Sequence, residues 1–114
     1  MKLPGMLLGL SLLPLMAQAQ DQISTLDLAA GQLHQCIARQ TAAQLEKRTT
    51  PRRFGIVLRD KCRIQEQRFK AVLIDGLKKE GSKNPYGLRL VDELLTSLRK
   101  QSVVNYAEIL KHSR

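Results

Sequence analysis

Two cysteines constrain the fold of this chain more than any other feature. Cys36 and Cys62 are its only cysteines, and an even cysteine count in an exported protein is typical of a structural disulfide. Their midpoint, (36 + 62)/2 = 49, is Thr49, which adjoins the turn signal Thr50-Pro51. Residues equidistant from the turn of a helical hairpin lie at the same height, within bridging distance. The spacing therefore predicts an antiparallel hairpin joined by a Cys36–Cys62 disulfide.

A metal centre, a reactive thiol, and free or intermolecular thiols are the alternatives for these cysteines. The sequence has no Cys-x-x-Cys pair, the arrangement that lowers a thiol pKa in redox proteins. The only further soft ligands for zinc are His34 and His112. On a helix, His34 lies roughly 200° around from Cys36, so the two side chains cannot share a metal ion. We therefore expect no metal and no other cofactor.

The first 19 residues have the layout of a secretory signal peptide. Lys2 precedes an apolar run over residues 6–15, and the tripeptide Ala17-Gln18-Ala19 follows. The run is about half the ~20 residues that a membrane-spanning helix needs. We expect cleavage after Ala19, no transmembrane segment in the remaining chain, and a location in the periplasm or outside the cell.

The remaining 95 residues (114 − 19 = 95) suit one small domain, residues 20–114. Apolar residues recur at every third or fourth position, which predicts helices and no strands. The expected fold class is all-α, a three-helix arrangement with an antiparallel hairpin between helices one and two. The expected helices are roughly 25–48, 51–80 and 85–111.

Helix-boundary signals support these limits. Ser24 or Thr25 is the expected N-cap of the first helix. Thr50 with Pro51 begins the second helix and Asn84 with Pro85 begins the third, because proline is favoured at the first helical position. Gly81 is the expected stop of the second helix.

Apolar stripes along the three helices predict the core. They contain Leu26, Ala30, Leu33, Ile37 and, more weakly, Ala29 and Cys36 in the first helix, Phe54, Leu58, Cys62, Phe69, Val72, Leu73 and Leu77 in the second, and Leu88, Val91, Leu94, Leu95, Leu98, Tyr106, Ile109 and Leu110 in the third. Three short helices must bury such stripes against each other. The alternative is that the leucine-rich face of the third helix binds a partner, a membrane or a second copy.

Seven basic residues surround the predicted turn, against a single acidic residue, Asp60. They are Lys47, Arg48, Arg52, Arg53, Arg59, Lys61 and Arg63. Lys47 and Arg48 fall at a helix end, where cations suit the macrodipole, whereas Arg52 and Arg53 occupy a first turn, where acids are favoured. This unfavourable placement predicts an anion-binding or partner-binding site at the hairpin tip. The alternative is a solvated basic surface that keeps the protein soluble.

The charge indicates an anionic partner but does not identify it. The full chain carries a formal net charge of +9, and loss of Lys2 with the leader leaves +8. In a bacterial envelope the available anions include phosphorylated glycolipids, anionic phospholipid headgroups, peptidoglycan carboxylates and acidic proteins. Export, only four aromatic residues and no recognisable motif argue against nucleic acid.

Catalysis finds little support in the sequence. It lacks the nucleophile-elbow, zinc-protease and glycine-rich phosphate motifs. Asp92 and Glu93 are adjacent, so on a helix they point about 100° apart and do not face each other across a substrate. His34 is expected at the edge of a helix interface. We therefore expect a protein that is not an enzyme.

The leader and three segments carry a resemblance to a group of proteins. The segments are "HQCIARQ", "RDKCRIQEQ" and "LVDELLTSLRKQSVV". With a leader that ends in Ala-Gln-Ala, the chain resembles the small, uncharacterised secreted helical proteins with two cysteines of Gram-negative bacteria. The resemblance implies a periplasmic setting and supplies no catalytic residue.

The function expected from these features is that of a small periplasmic interaction protein, which engages an anionic partner through its basic hairpin tip. The alternative is a periplasmic stress chaperone or a self-associating structural protein that uses its apolar helix faces. Whether the protein forms homo-oligomers stays open.

Overall fold

The computed structural model describes the backbone of residues 3–79 and 85–113, and the side chains of residues 25–79 and 86–113. The helices are α1 (Leu3–Glu46), α2 (Pro51–Lys61), α3 (Arg63–Lys79) and α4 (Pro85–His112). The described ranges contain no strand, which confirms the all-α class. Within them the helices number four, whereas the sequence predicted three.

The extra helix arises because the predicted second helix is interrupted at Cys62. This residue has φ −105° and ψ 17°, outside the helical region. Its N–H still donates to the Leu58 carbonyl and its carbonyl accepts from the Glu66 N–H, both at 2.9 Å. The interruption is therefore one residue wide. It coincides with the residue whose position is constrained by a covalent bond to α1.

The disulfide predicted from the cysteine spacing is present. Cys36 in α1 is bonded to Cys62, and their Cα atoms lie 5.8 Å apart, within the usual range for a disulfide. Both residues are buried, at 3% and 2% exposure. The bond lies inside the main hydrophobic cluster, whose buried members are Leu33, Cys36, Phe54, Leu58, Cys62 and Tyr106.

The first helix begins earlier than predicted. α1 passes through Ser24 and Thr25 without a break, so the prediction of an N-cap at either residue is wrong. The segment before them is rich in leucine, methionine and alanine, which favour helix. Cleavage after Ala19 stays a prediction. The predicted Asn84 cap and Gly81 stop lie outside the described residues.

The apolar stripe of α4 is only partly buried. Val91, Leu95 and Tyr106 belong to the buried core, as predicted. Three residues predicted for the same core, Leu88, Leu94 and Leu98, are exposed, and so are Leu26 of α1 and Ile109 of α4. Those predictions are wrong. The stripe of α4 is wider than the surface that α1, α2 and α3 offer to it, and Leu26 borders a depression between α1, α3 and α4 that the helices leave open.

The turn between α1 and α2 is built from backbone hydrogen bonds and two capping residues. The N–H groups of Arg48 and Thr49 donate to the carbonyls of Leu45 and Gln44, at 3.1 and 3.0 Å. Arg48 has φ 52°, so this is a Schellman motif with arginine at the left-handed position that glycine usually occupies. Thr50 is the N-cap of α2, as predicted, and accepts from the Arg53 N–H.

Tyr106 joins α4 to this turn. Its ring is fully buried and stacks on Phe54 with a centroid distance of 4.0 Å. Its hydroxyl lies 2.6 Å from the Thr49 carbonyl and 3.0 Å from the Gln44 carbonyl. A residue near the end of the chain therefore supplies the hydrogen-bond donor for a turn about 60 residues away.

Loss of the disulfide should destabilise the protein strongly. Closing a loop of 26 residues is worth about 3.5 kcal/mol in the chain-entropy treatment. We expect the double variant Cys36→Ala, Cys62→Ala to lose about that much free energy of unfolding in urea titration. Reduction of the wild-type protein should have the same effect. Two reactive thiols in unreduced, denatured protein from the oxidising compartment would contradict the disulfide.

Tyr106→Phe should destabilise the fold in a pH-dependent way. Losing the hydroxyl leaves the Thr49 carbonyl without its donor, which costs roughly 1–2 kcal/mol. Burial raises the pKa of Tyr106 above 10.0, opposed less strongly by its hydrogen bond with Thr49 and by the charge of Arg48.

The raised pKa fixes the sign of the pH effect. The folded protein keeps the phenol proton where the unfolded chain loses it, so this stability is present below pH 10 and lost as pH rises further. Urea titrations across that range should show a steeper decline for the wild-type protein than for Tyr106→Phe. Parallel curves would contradict the effect, since every other titratable group is common to both proteins.

Candidate functional site

The structure divides the seven basic residues of the predicted tip among different roles. Arg48 is used inside the molecule, because its Nη1 donates to the Ser113 carbonyl at 3.1 Å. Ser113 directly follows the end of α4, where a cation offsets the negative end of the helix dipole. Arg48 thus stabilises the end of a second helix as well as the end of α1, the role that the sequence predicted.

Arg52 and Arg59 line a depression between α2 and α4, which we call the basic groove. Its volume is about 510 Å³. The lining residues are Arg52, Gly55, Ile56, Arg59, Arg99, Lys100, Val103 and Val104. The α2 members are spaced by three and four, so they share one helix face. The lining of the groove thus contains four cations, four apolar residues and no acidic residue.

Arg59 and Arg63 border a second depression, between α2, α3 and α4, which we call the charged cleft. Its volume is about 460 Å³. The lining residues are Arg59, Asp60, Arg63, Glu66, Gln67, Lys70, Asp92, Leu95, Thr96 and Arg99. Here the charges are paired: Lys70 Nζ lies 2.7 Å from Asp92 Oδ1, and Arg99 Nε lies 3.4 Å from Glu66 Oε1. These ion pairs join α3 to α4 and compensate much of the positive charge of the cleft.

The other predicted tip residues do not join either depression. Lys47, Arg53 and Lys61 are exposed and line neither the basic groove nor the charged cleft. Arg52 and Arg53, which the sequence grouped as one anion site, therefore lie in different surroundings. Successive residues differ by about 100° around a helix, so only one of the two faces α4.

The N-terminus of α2 offers less to an anion than the sequence suggested. Pro51 has no N–H, the Arg53 N–H donates to Thr50 Oγ1, and the Phe54 N–H donates to the Thr50 carbonyl. The helix start is therefore largely satisfied within the chain. Any anion at this surface would be bound by side chains.

Sequence reasoning missed two cations of the basic groove, Arg99 and Lys100. Both precede the paired valines Val103 and Val104 by four residues on α4, so the four lie on adjoining strips of one helix. That spacing is the only signal the sequence contains. Their position beside Arg52 depends on how α4 packs against α2, which local sequence does not encode.

A third depression is apolar and lies between α1, α3 and α4. This apolar groove has a volume of about 760 Å³. Its lining residues are Thr25, Leu26, Val72, Leu73, Asp75, Gly76, Leu77, Lys79, Gly87, Leu90, Val91 and Leu94. It holds several residues that were predicted to pack as core. α1, α3 and α4 contact each other around the apolar groove, but their side chains leave its volume open.

Groups that commonly bind metals are dispersed. Across the residues that the structure describes, no three His, Cys, Asp or Glu side chains come together to hold a metal ion. His34 is exposed on α1, whereas the sequence predicted it at the edge of an interface. Asp92 is engaged by Lys70.

No described helix contains a stretch long and apolar enough to cross a membrane. No protein-family model matches the chain, and no curated protein or solved structure is similar to it.

Proposed function

We propose that this chain is a non-enzymatic interaction protein of the bacterial periplasm that binds an anionic partner through the basic groove. The observation that carries the proposal is the lining of the groove. Four cations, Arg52, Arg59, Arg99 and Lys100, surround one depression that has no acidic residue. Like charges held together repel each other, and an anion bound among them would relieve that repulsion.

The charges of the groove are poorly compensated within the protein. Within the described part of the chain, Arg52 and Lys100 form no ion pair. Arg59 lies 3.9 Å from Asp60, and both side chains are about two-thirds exposed, so this contact is worth little. Arg99 is the exception, because Glu66 holds it. Three of the four cations are therefore available to an external anion.

Two further features support the periplasmic setting and a partner other than nucleic acid. The leader, the resemblance to secreted two-cysteine proteins and the buried disulfide all suit an oxidising compartment. Single-stranded nucleic acid is usually bound by stacking of bases on exposed aromatic rings. The basic groove has no aromatic residue, and Phe54 and Tyr106 are buried against each other.

Photocrosslinking in cells tests the proposal. A photoreactive side chain at Ile56, in the lining of the groove, should give an adduct whose mass identifies its partner as lipid, glycan or protein. The double variant Arg52→Glu, Lys100→Glu should reduce that adduct by roughly 2- to 30-fold, since each exposed ion pair contributes about 0.2–1 kcal/mol. The adduct recovered from extracts should also decrease as salt rises.

The double variant Arg53→Glu, Lys61→Glu is the matched control. It changes the net charge by the same amount on exposed residues that lie outside the groove. The adduct should survive in this variant. An equal loss of the adduct in both double variants would show that binding depends only on net charge, which would contradict the proposal. No adduct at Ile56 would also contradict the proposal.

The apolar groove favours a second candidate function, binding of a client protein or a second copy through apolar surface. Leu90 and Leu94 are about half exposed beside it, and Leu88 and Leu98 extend the same helix with further exposed leucines. Contiguous apolar surface of this kind is typical of interaction sites.

The variant Leu90→Ser, Leu94→Ser tests this second candidate. We expect it to lose self-association in analytical ultracentrifugation, or to lose the ability to keep an unfolding client soluble, because apolar area is removed. Adducts at Ile56 should be unchanged. A wild-type protein that is monomeric and does not protect a client at any pH from about 2 to 7, where carboxylates and histidines titrate, would remove this candidate.

A further inference from the structure

We infer that the basic groove binds the surface of an anionic phospholipid bilayer, with Ile56 and Val104 entering the region beneath the headgroups. The inference rests on the proposed function and specifies its partner. It draws on three properties of the groove: exposed apolar side chains in its lining, a close approach of the two helices at Gly55, and cations spread along two helices.

The lining of the groove contains exposed apolar side chains as well as cations. Ile56 is 45% exposed and Val104 is 55% exposed, and both lie in the lining with Arg52 and Lys100. A bilayer interface offers the complementary pattern, with phosphates at the surface and hydrocarbon below. Arginine and lysine have long apolar stems, so their charged ends reach phosphates while neighbouring side chains enter the apolar layer.

At Gly55 the seam between α2 and α4 has no room for an anchor side chain from a peptide. A Cβ atom added to Gly55 would lie 3.3 Å from Val103 Cγ2. The glycine thus brings the backbone of α2 close to α4, and Val103 occupies the space between the helices. Helix-in-groove recognition requires slots for the side chains of the bound helix. This surface suits a broad interface better than an inserted acidic peptide.

The helix positions of the cations are spread along the groove. Arg52 and Arg59 are seven residues apart on α2, which corresponds to about 10 Å along the helix axis. Lys100 stands across from them on α4. Several headgroups of one bilayer can each pair with a different cation over this distance, whereas a single phosphate would need long side chains from both helices to bend toward one point. This spacing favours a bilayer surface over a free phosphate compound.

Vesicle co-sedimentation tests the inference. The probe is a vesicle of phosphatidylglycerol and phosphatidylcholine in equal parts, compared with phosphatidylcholine alone. The protein isolated from cells, with its N-terminus defined by mass spectrometry, should bind the anionic vesicle, more weakly at high salt, and should not bind the neutral vesicle. Arg52→Gln with Lys100→Gln should reduce binding by about fivefold for each charge removed. Ile56→Ser with Val104→Ser should reduce it by at least about fivefold.

Matched controls distinguish binding through the groove from binding through the rest of the protein surface. Arg39→Gln with Arg89→Gln removes two exposed charges outside the groove, and Leu28→Ser with Ile109→Ser removes two exposed apolar side chains outside it. Both controls should bind like the wild type. Every variant carries the same N-terminus, so any contribution of residues 1–24 is common to all. Circular dichroism verifies that each is folded.

Three results would overturn the bilayer inference. They are no binding to the anionic vesicle, binding that is indifferent to Ile56→Ser with Val104→Ser, and equal loss in the control variants. If Ile56 still gives a protein or glycan adduct that depends on groove charge, the bilayer inference fails and the proposed function stands. If no adduct of any class forms in a way that depends on groove charge, both are wrong.

Discussion

The covalent bond between Cys36 and Cys62 is the constraint on which the rest of the structure depends. A small chain buries only a limited apolar area, and in this one the disulfide lies within that area. Phe54 and Leu58 precede one cysteine on α2, Leu33 precedes the other on α1, and all are buried in one cluster. The bond therefore joins α1 to α2 at the point where their apolar faces meet.

α4 is attached to this hairpin by different means. Tyr106 stacks on Phe54 and reaches the carbonyls of the turn, while Arg48 returns from the turn to the Ser113 carbonyl. Tyr106 of α4 donates to the turn, and Arg48 of the turn donates to the residue that follows α4. Together they hold the last turns of α4 beside the hairpin tip. The basic groove exists because α4, placed in this way, brings Arg99 and Lys100 to α2.

The sequence predicted the structure correctly where the signals are local or come from the symmetric spacing of the cysteines. It predicted the structure incorrectly where the packing between helices decides the outcome. The all-α class, the disulfide and the Thr50-Pro51 start of α2 follow from periodicity, cysteine spacing and capping preference.

The interruption at Cys62 was not predictable, because the residues around it are compatible with continuous helix. The burial of α4 was overestimated for Leu88, Leu94 and Leu98, since a stripe shows which side is apolar but not how much of it is covered. The same limitation applied to the tip, where adjacent arginines were grouped although the helix directs only Arg52 toward α4.

Burial of the disulfide has a consequence for the lifetime of the native state under reducing conditions. Cys36 and Cys62 are almost completely shielded from solvent, and thiol–disulfide exchange requires a thiolate to reach one of the sulfur atoms directly. Reduction of the disulfide therefore requires α1 to separate from the α2–α3 junction. The rate of reduction is then lowered by the small fraction of molecules in which the core is open. Reduction of the folded protein should therefore be much slower than reduction of the same disulfide in the unfolded chain.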